Sequence, residues 1–197
     1  GGDEERYPMD AWLKLLGVFI ADGRVIGATE TRKGTLRITR RTHRKKSPHM
    51  AELLAGLNVE YVMDDKGTLC IAGSNHPALV HEMYKLSEGT DEKSLPDYAW
   101  AVSQNQSRLL LNSLMGPYQK NAARYYTSSQ KLADDVSRLA LHAGWTGTIS
   151  KRKENREGVP RHDELVVTVT KSYANPEINA GGTAVERYEE FKGKVFC

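Results

Sequence analysis

The stretch LLGVFIADG, residues 15–23, decides the fold, because it is an apolar helix that stops on an acid and a glycine. Asp10 is expected to cap that helix, which should run over residues 10–21. Trp12, Leu13, Leu15, Leu16, Val18, Phe19 and Ile20 cover nearly every direction around its axis, so it should be central and buried rather than amphipathic. Gly17 and Ala21 lie four apart on one face, where the backbone of a second helix can approach closely.

Working outward, the pattern predicts a hairpin over residues 25–31 and 35–41, turned at Arg32, Lys33 and Gly34. A helix opened by Ser47 and Pro48 should follow, then short strands at 59–63 and 68–72 and a helix over 77–87. The order is αββαββα. Residues 89–96 are polar and turn-rich, and 91–96 read as a linker. Beyond it the pattern restarts. Ser103 and Gln106 form a capping box for an apolar helix through Leu109, Leu110, Leu111, Leu114 and Met115. A strand at 124–127, a helix at 129–143 stopped by Gly144, strands at 146–151 and 165–170, and an acidic helical segment at 184–191 complete it. Two related halves, 10–90 and 97–192, imply pseudo-twofold symmetry, with 1–9 as an N-terminal extension.

Of 197 residues, 39% are hydrophobic and 27% charged, which calls for a compact core under a charged surface. No run approaches the roughly 18 apolar residues of a membrane span, and the polar first ten residues are unlike a signal peptide. An intracellular protein with no membrane partner is expected. Cys70 and Cys197 form no CxxC pair and the histidines have no ligand spacing, so neither a disulfide framework nor a zinc site is expected. The net charge of +3 hides an asymmetry: nine Lys and Arg between Arg24 and Lys46 stand against one acid, Glu30. Thr35, Arg37, Thr39 and Arg41 alternate with Leu36 and Ile38, giving a strand with one basic face. A ribbon of that kind fits the major groove, about 12 Å wide, where Arg and Thr reach base edges. Tyr125 and Tyr126 have the chemistry to stack on bases, although at least one on such a strand belongs in the core.

These residues carry a resemblance. LLGVFIADG closely resembles the LAGLIDADG motif of homing endonucleases. KSLPDYAWAVSQNQSRLLLNSLM (93–115) and YYTSSQKLADDVSRLALHAG (125–144) look like second-half segments of the endonuclease domains carried inside inteins, and GKVFC (193–197) resembles the point where an intein resumes its splicing segment. The resemblance implies an α+β fold of two αββαββα halves packed through their motif helices, in a single-chain monomer, with strands forming a saddle over double-stranded DNA. It implies a divalent cation, Mg²⁺ or another such as Mn²⁺, held at the scissile phosphates by an acid at each motif helix end. Asp22 takes that place here, with the Gly23 carbonyl beside it. The helix dipole disfavours a carboxylate at this position, which also points to a neighbouring cation. Lys171, after the last strand, is the candidate basic catalytic group. The implied DNA contacts are Arg24, Glu30, Arg32, Lys33, Arg37, Thr39, Arg40, Arg41 and Lys46, with Lys151, Lys153, Arg161 and Thr168 in the second half.

The second half departs from the motif. No Asp or Glu lies between Asp97 and Asp134, and Pro117 should end the helix about where the second acid belongs. The stretch is also short for that half's first hairpin. A degenerate copy, an engineered loss and a locally shortened site fit equally well. The expected function is site-specific binding of a long duplex with metal-dependent cleavage, limited to nicking or lost. A catalytically inactive DNA-binding module and a structural insertion supporting a splicing domain are the alternatives. Splicing itself is not expected, since the chain neither opens on Cys or Ser nor closes on His-Asn.

Overall fold

A computed structural model describes residues 6–28, 33–39, 54, 56–87, 93–116, 122–153 and 163–171. Its helices are α1 (Met9–Asp22), α2 (Pro77–Ser87), α3 (Gln104–Met115) and α4 (Gln130–His142). The strands are β1 (Gly23–Ile26), β2 (Thr35–Ile38), β3 (Val62–Met63), β4 (Leu69–Ala72), β5 (Ala122–Thr127), β6 (Thr146–Lys153) and β7 (Asp163–Thr170).

As its all-round apolar surface requires, α1 is central: Leu13, Leu15, Leu16 and Phe19 are fully buried. Pro8, not Asp10, precedes its first turn, and the Pro8 carbonyl accepts from the Trp12 N–H at 2.9 Å. Asp10 sits inside that turn, where the dipole favours a carboxylate, and accepts from Gln106 Nε2 of α3 at 3.0 Å. The capping box at Ser103 and Gln106 forms as the sequence predicts. With their starts joined and Gly17 facing Leu110 and Leu114 further along, α1 and α3 run parallel. Their C-terminal ends therefore emerge together. A Cβ on Gly17 would lie 2.7 Å from the Leu110 carbonyl oxygen and 2.8 Å from the Leu114 nitrogen, so only glycine permits this approach.

Each half builds an antiparallel sheet, ordered β1-β2-β4-β3 and β5-β7-β6. Leu36, Ile38, Leu69 and Ile71 bury one face of the first sheet against the helices, and Leu165, Val167, Val169 and Ala123 do so in the second. α2 packs on the first sheet and α4 on the second. In the first hairpin Ile26 pairs with Thr35, and Arg32 of the expected turn lies outside the described residues. The second sheet repeats the order β2-β4-β3 but holds no counterpart of β1 among the described residues.

The helix expected around 48–57 lies outside the described residues apart from Leu54 and residues 56 and 57, of which Leu54 and Leu57 are buried. The acidic segment 184–191, the GKVFC stretch and residues 1–5 also lie outside them. Of the linker, residues 93–96 are described and tied down: the Leu95 N–H donates to Asp135 Oδ2 at 2.9 Å.

Candidate nucleic-acid interface

The face of the first sheet turned away from the helices carries Arg24, Arg37 and Thr39, three of the sequence-predicted contacts. Arg24 of β1 stands directly opposite Arg37 of β2, and the same row continues through Cys70 and Val62. Two like charges opposed across a sheet destabilise it unless an anion stands beside them. Thr39 donates to Thr68 Oγ1 at 3.3 Å, and Lys33 is exposed at the entry to β2. The Arg37 guanidinium meets a carboxylate missed by the sequence reading, Asp64 Oδ2, at 3.2 Å. Glu30, Arg32, Arg40, Arg41, Lys46 and Arg161 lie outside the described residues.

In the second sheet, parity separates the predicted contacts. Thr168 shares a row with Arg124 and Thr148, whereas Lys151 opposes Leu165, which is buried in the core, and Lys153 opposes Asp163. Lys151 therefore does not project from the face that carries Thr168. Arg152, one position on, has the right parity, as do Ser150 and Tyr126. Of the two tyrosines, Tyr126 is on the open face and Tyr125 packs against the core.

Asp22 ends α1 where the two halves meet. Gly23 follows at once as the first residue of β1, and no side chain fits there, since a Cβ would lie 2.4 Å from Phe19 Cδ2. Lys93, 74 residues beyond Phe19, donates from Nζ to the carbonyls of Phe19 at 2.9 Å and Ile20 at 3.0 Å, capping the negative end of α1 beside Asp22. Tyr125 comes from the other half. Burial pushes its phenol up to about 12, and the negative charge of Asp22 adds to that shift. Lys171 is exposed at the end of β7, donating to Asn112 Oδ1 of α3 at 3.2 Å with its ammonium 4.9 Å from the Trp145 ring centre. It thus stands beside α3, near the end of the helix pair that also presents Asp22.

The two helix ends differ in what they offer a cation. Mg²⁺ keeps several waters and takes one or two carboxylates together with substrate phosphates, and Asp22 is the carboxylate available at the end of α1. On the other side, α3 stops at Met115 with Gly116 at φ 81°, two residues beyond Ser113 of the crossing, while α1 continues five residues beyond Gly17 to Asp22. No carboxylate exists in that part of the sequence to complete a second corner. Among the described residues no three His, Cys, Asp or Glu side chains cluster as a metal site, and no helix is long and apolar enough to cross a membrane.

Paired parallel helices between two antiparallel sheets define the LAGLIDADG homing endonuclease fold. Mesophilic variants of the homing endonuclease I-DmoI superpose with a TM-score of 0.54 at 16% identity, covering 83% of this chain and 89% of theirs. I-DmoI in complex with DNA and Mn gives a TM-score of 0.51 at 18% identity over 82% and 90%. No family profile matches the chain. In sequence it is 26% identical over 251 residues to a DNA-directed RNA polymerase subunit beta C-terminal section from Stigeoclonium helveticum, covering 98% of this chain and 22% of that protein. It is 32% identical over 153 residues to an ATP-dependent Clp protease proteolytic subunit from Chlamydomonas moewusii, covering 72% and 15%. The chain thus spans about a fifth or less of the length of the curated relatives it matches.

Proposed function

We propose that this chain is the homing endonuclease domain of an intein, a monomer that binds a long specific duplex through its two open sheet faces. The observation that carries this reading is the placement of Asp22 at the end of a buried central helix, beside a sheet face on which Arg24 opposes Arg37. The insertion context is supported by the relatives. A polymerase subunit and a protease subunit have no common task, yet each contains a stretch similar to this chain that makes up 22% or 15% of its length. A segment shared by unrelated hosts is what an element moving between genes leaves behind, and its presence in the protein sequences fits insertion in frame, as an intein.

Asp22, with the Gly23 carbonyl beside it, would hold the cation at one strand. Bound there, Mg²⁺ or Mn²⁺ supplies a water of lowered pKa and neutralises charge developing on the phosphate. I-DmoI has been solved with Mg, Mn and Ca, in keeping with such a role. Lys171, which donates to Asn112 of α3, would contribute a positive charge from that side. The missing second acid favours nicking, or binding without cleavage, over double-strand cutting.

The test is incubation with plasmid carrying an uninterrupted host-gene insertion site, with and without Mg²⁺, resolving nicked from linear product. Nicking at most is expected, and Asp22→Asn should abolish it while leaving duplex affinity largely intact. Rapid linearisation would overturn the assignment of a single competent corner. Nicking that survives Asp22→Asn would remove Asp22 from the reaction.

A further inference from the structure

The geometry points to Asp64 as a positioning residue that aims the Arg37 guanidinium at a guanine in the half-site under the first sheet. This rests on the DNA-binding reading above. Asp64 opens the turn between β3 and β4, and its carboxylate is fixed by that turn: Oδ1 accepts from the backbone N–H groups of Lys66 at 2.9 Å and Thr68 at 2.8 Å. The other oxygen, Oδ2, accepts from Arg37 Nη2 at 3.2 Å. The pairing pattern extends through Asp64, Thr68 and Thr39 in the row beside Val62, Cys70, Arg37 and Arg24, so the carboxylate stands on the open face.

A negative charge on a face built to meet a polyanion lowers affinity, so long-range attraction gives no reason for Asp64 to be there. Orientation does. The backbone hydrogen bond from Thr68 does most to hold its carboxyl below the usual range, against an opposing push from desolvation, with smaller help from the Lys66 hydrogen bond and the charge of Arg37, so it stays an ionised acceptor at neutral pH. Arg37 is itself constrained: its side chain is 34% exposed, and its Nε is buried without a protein partner. With one Nη2 proton engaged by Asp64, the Nη1 group and the second Nη2 proton remain as a fork. A fixed fork of two donors is what the O6 and N7 acceptors of guanine require in the major groove. An arginine free to swing would serve a phosphate as well as a base; one tied to a turn-anchored carboxylate favours the base.

The experiment uses the full chain and a duplex selected by it from a randomised pool. Binding is measured to that duplex, to versions with each guanine of the half-site replaced by adenine or by 7-deazaguanine, and to a scrambled duplex. Wild type should discriminate roughly five- to hundredfold at one guanine, with the 7-deaza base also weakened there. Asp64→Asn and Asp64→Ala should reduce that discrimination to about twofold while binding to the scrambled duplex is undiminished. Arg37→Lys, which lacks the fork, should lose the same discrimination, and it keeps the test decisive if the Asp64 variants melt early. A merely structural Asp64 would weaken all duplexes alike. Retained discrimination in the Asp64 variants, or uniform weakening, overturns the proposal. If the pool yields no bound duplex at low salt, the DNA-binding reading itself fails, an outcome distinct from loss of discrimination alone.

Discussion

Gly17→Ala tests the architecture most directly, because the crossing of α1 and α3 has no room for one methyl group. The added carbon would meet the Leu110 carbonyl oxygen at 2.7 Å, and the Leu114 nitrogen and Ser113 Cβ at 2.8 Å each. Two of the three are backbone atoms and cannot rotate away, so the helices must separate by roughly half an ångström or more to restore van der Waals spacing. Overpacking costs about 1–3 kcal/mol, and because two of the blocking atoms belong to the backbone this site falls at about 2–3 kcal/mol. Alanine recovers about 0.8–1.0 kcal/mol of helix propensity over glycine. A net loss of about 1–2 kcal/mol is expected, a fall of about 2–8 °C in Tm for a chain of this size. Urea and thermal unfolding followed by circular dichroism measure it. Ser113→Gly removes one of the three clashes, so the double variant should lose less than the sum of the single variants. A Gly17→Ala protein as stable as wild type, or strict additivity with Ser113→Gly, would refute the close parallel packing of the two helices.

Other outcomes follow from the corner around Asp22. Tyr125 has its phenol at about 12 in the folded chain against 10 when exposed, so the folded state prefers the neutral form. That preference is fully present below pH 10 and is lost as pH rises through 12. Between pH 9 and 11.5 wild type should lose about 2 kcal/mol more than Tyr125→Phe in urea unfolding, and equal losses would place the phenol in solvent. Lys93→Met removes two charge-assisted hydrogen bonds from the end of α1 and should destabilise by about 1–2 kcal/mol. An unchanged urea midpoint would mean that Lys93 is no cap.

Much of the fold is legible in the sequence because its determinants are local. The 77–87 helix forms over those very residues, Ser103 and Gln106 make their box, and Ser129 accepts from the Leu132 N–H at the start of α4. The motif helix is recognisable as buried from its all-round apolar surface alone. Asp10 is the local misreading: Pro8 already supplies an extended residue and a carbonyl for the first turn, which moves the helix start back.

The candidate site is legible only where one strand carries its own signal. Arg37 and Thr39 alternate with Leu36 and Ile38, and their shared face is readable without knowing any partner. Lys151 and Arg152 sit in a run of mixed polar residues, where nothing local distinguishes inward from outward; pairing with β7 decides it, and a shift of one residue inverts the result. Asp64, Lys93 and Tyr125 reach their partners across 27, 74 and about a hundred residues, distances at which no periodicity or motif spacing operates. The amino-acid sequence by itself determined the two-half plan, the buried motif helix with its terminal acid, and the absence of a second acid, since these depend on composition and spacing within single elements. Tertiary structure alone decided which basic residues share a face and what caps the end of α1, because register and helix crossing arise from packing between segments far apart in the chain.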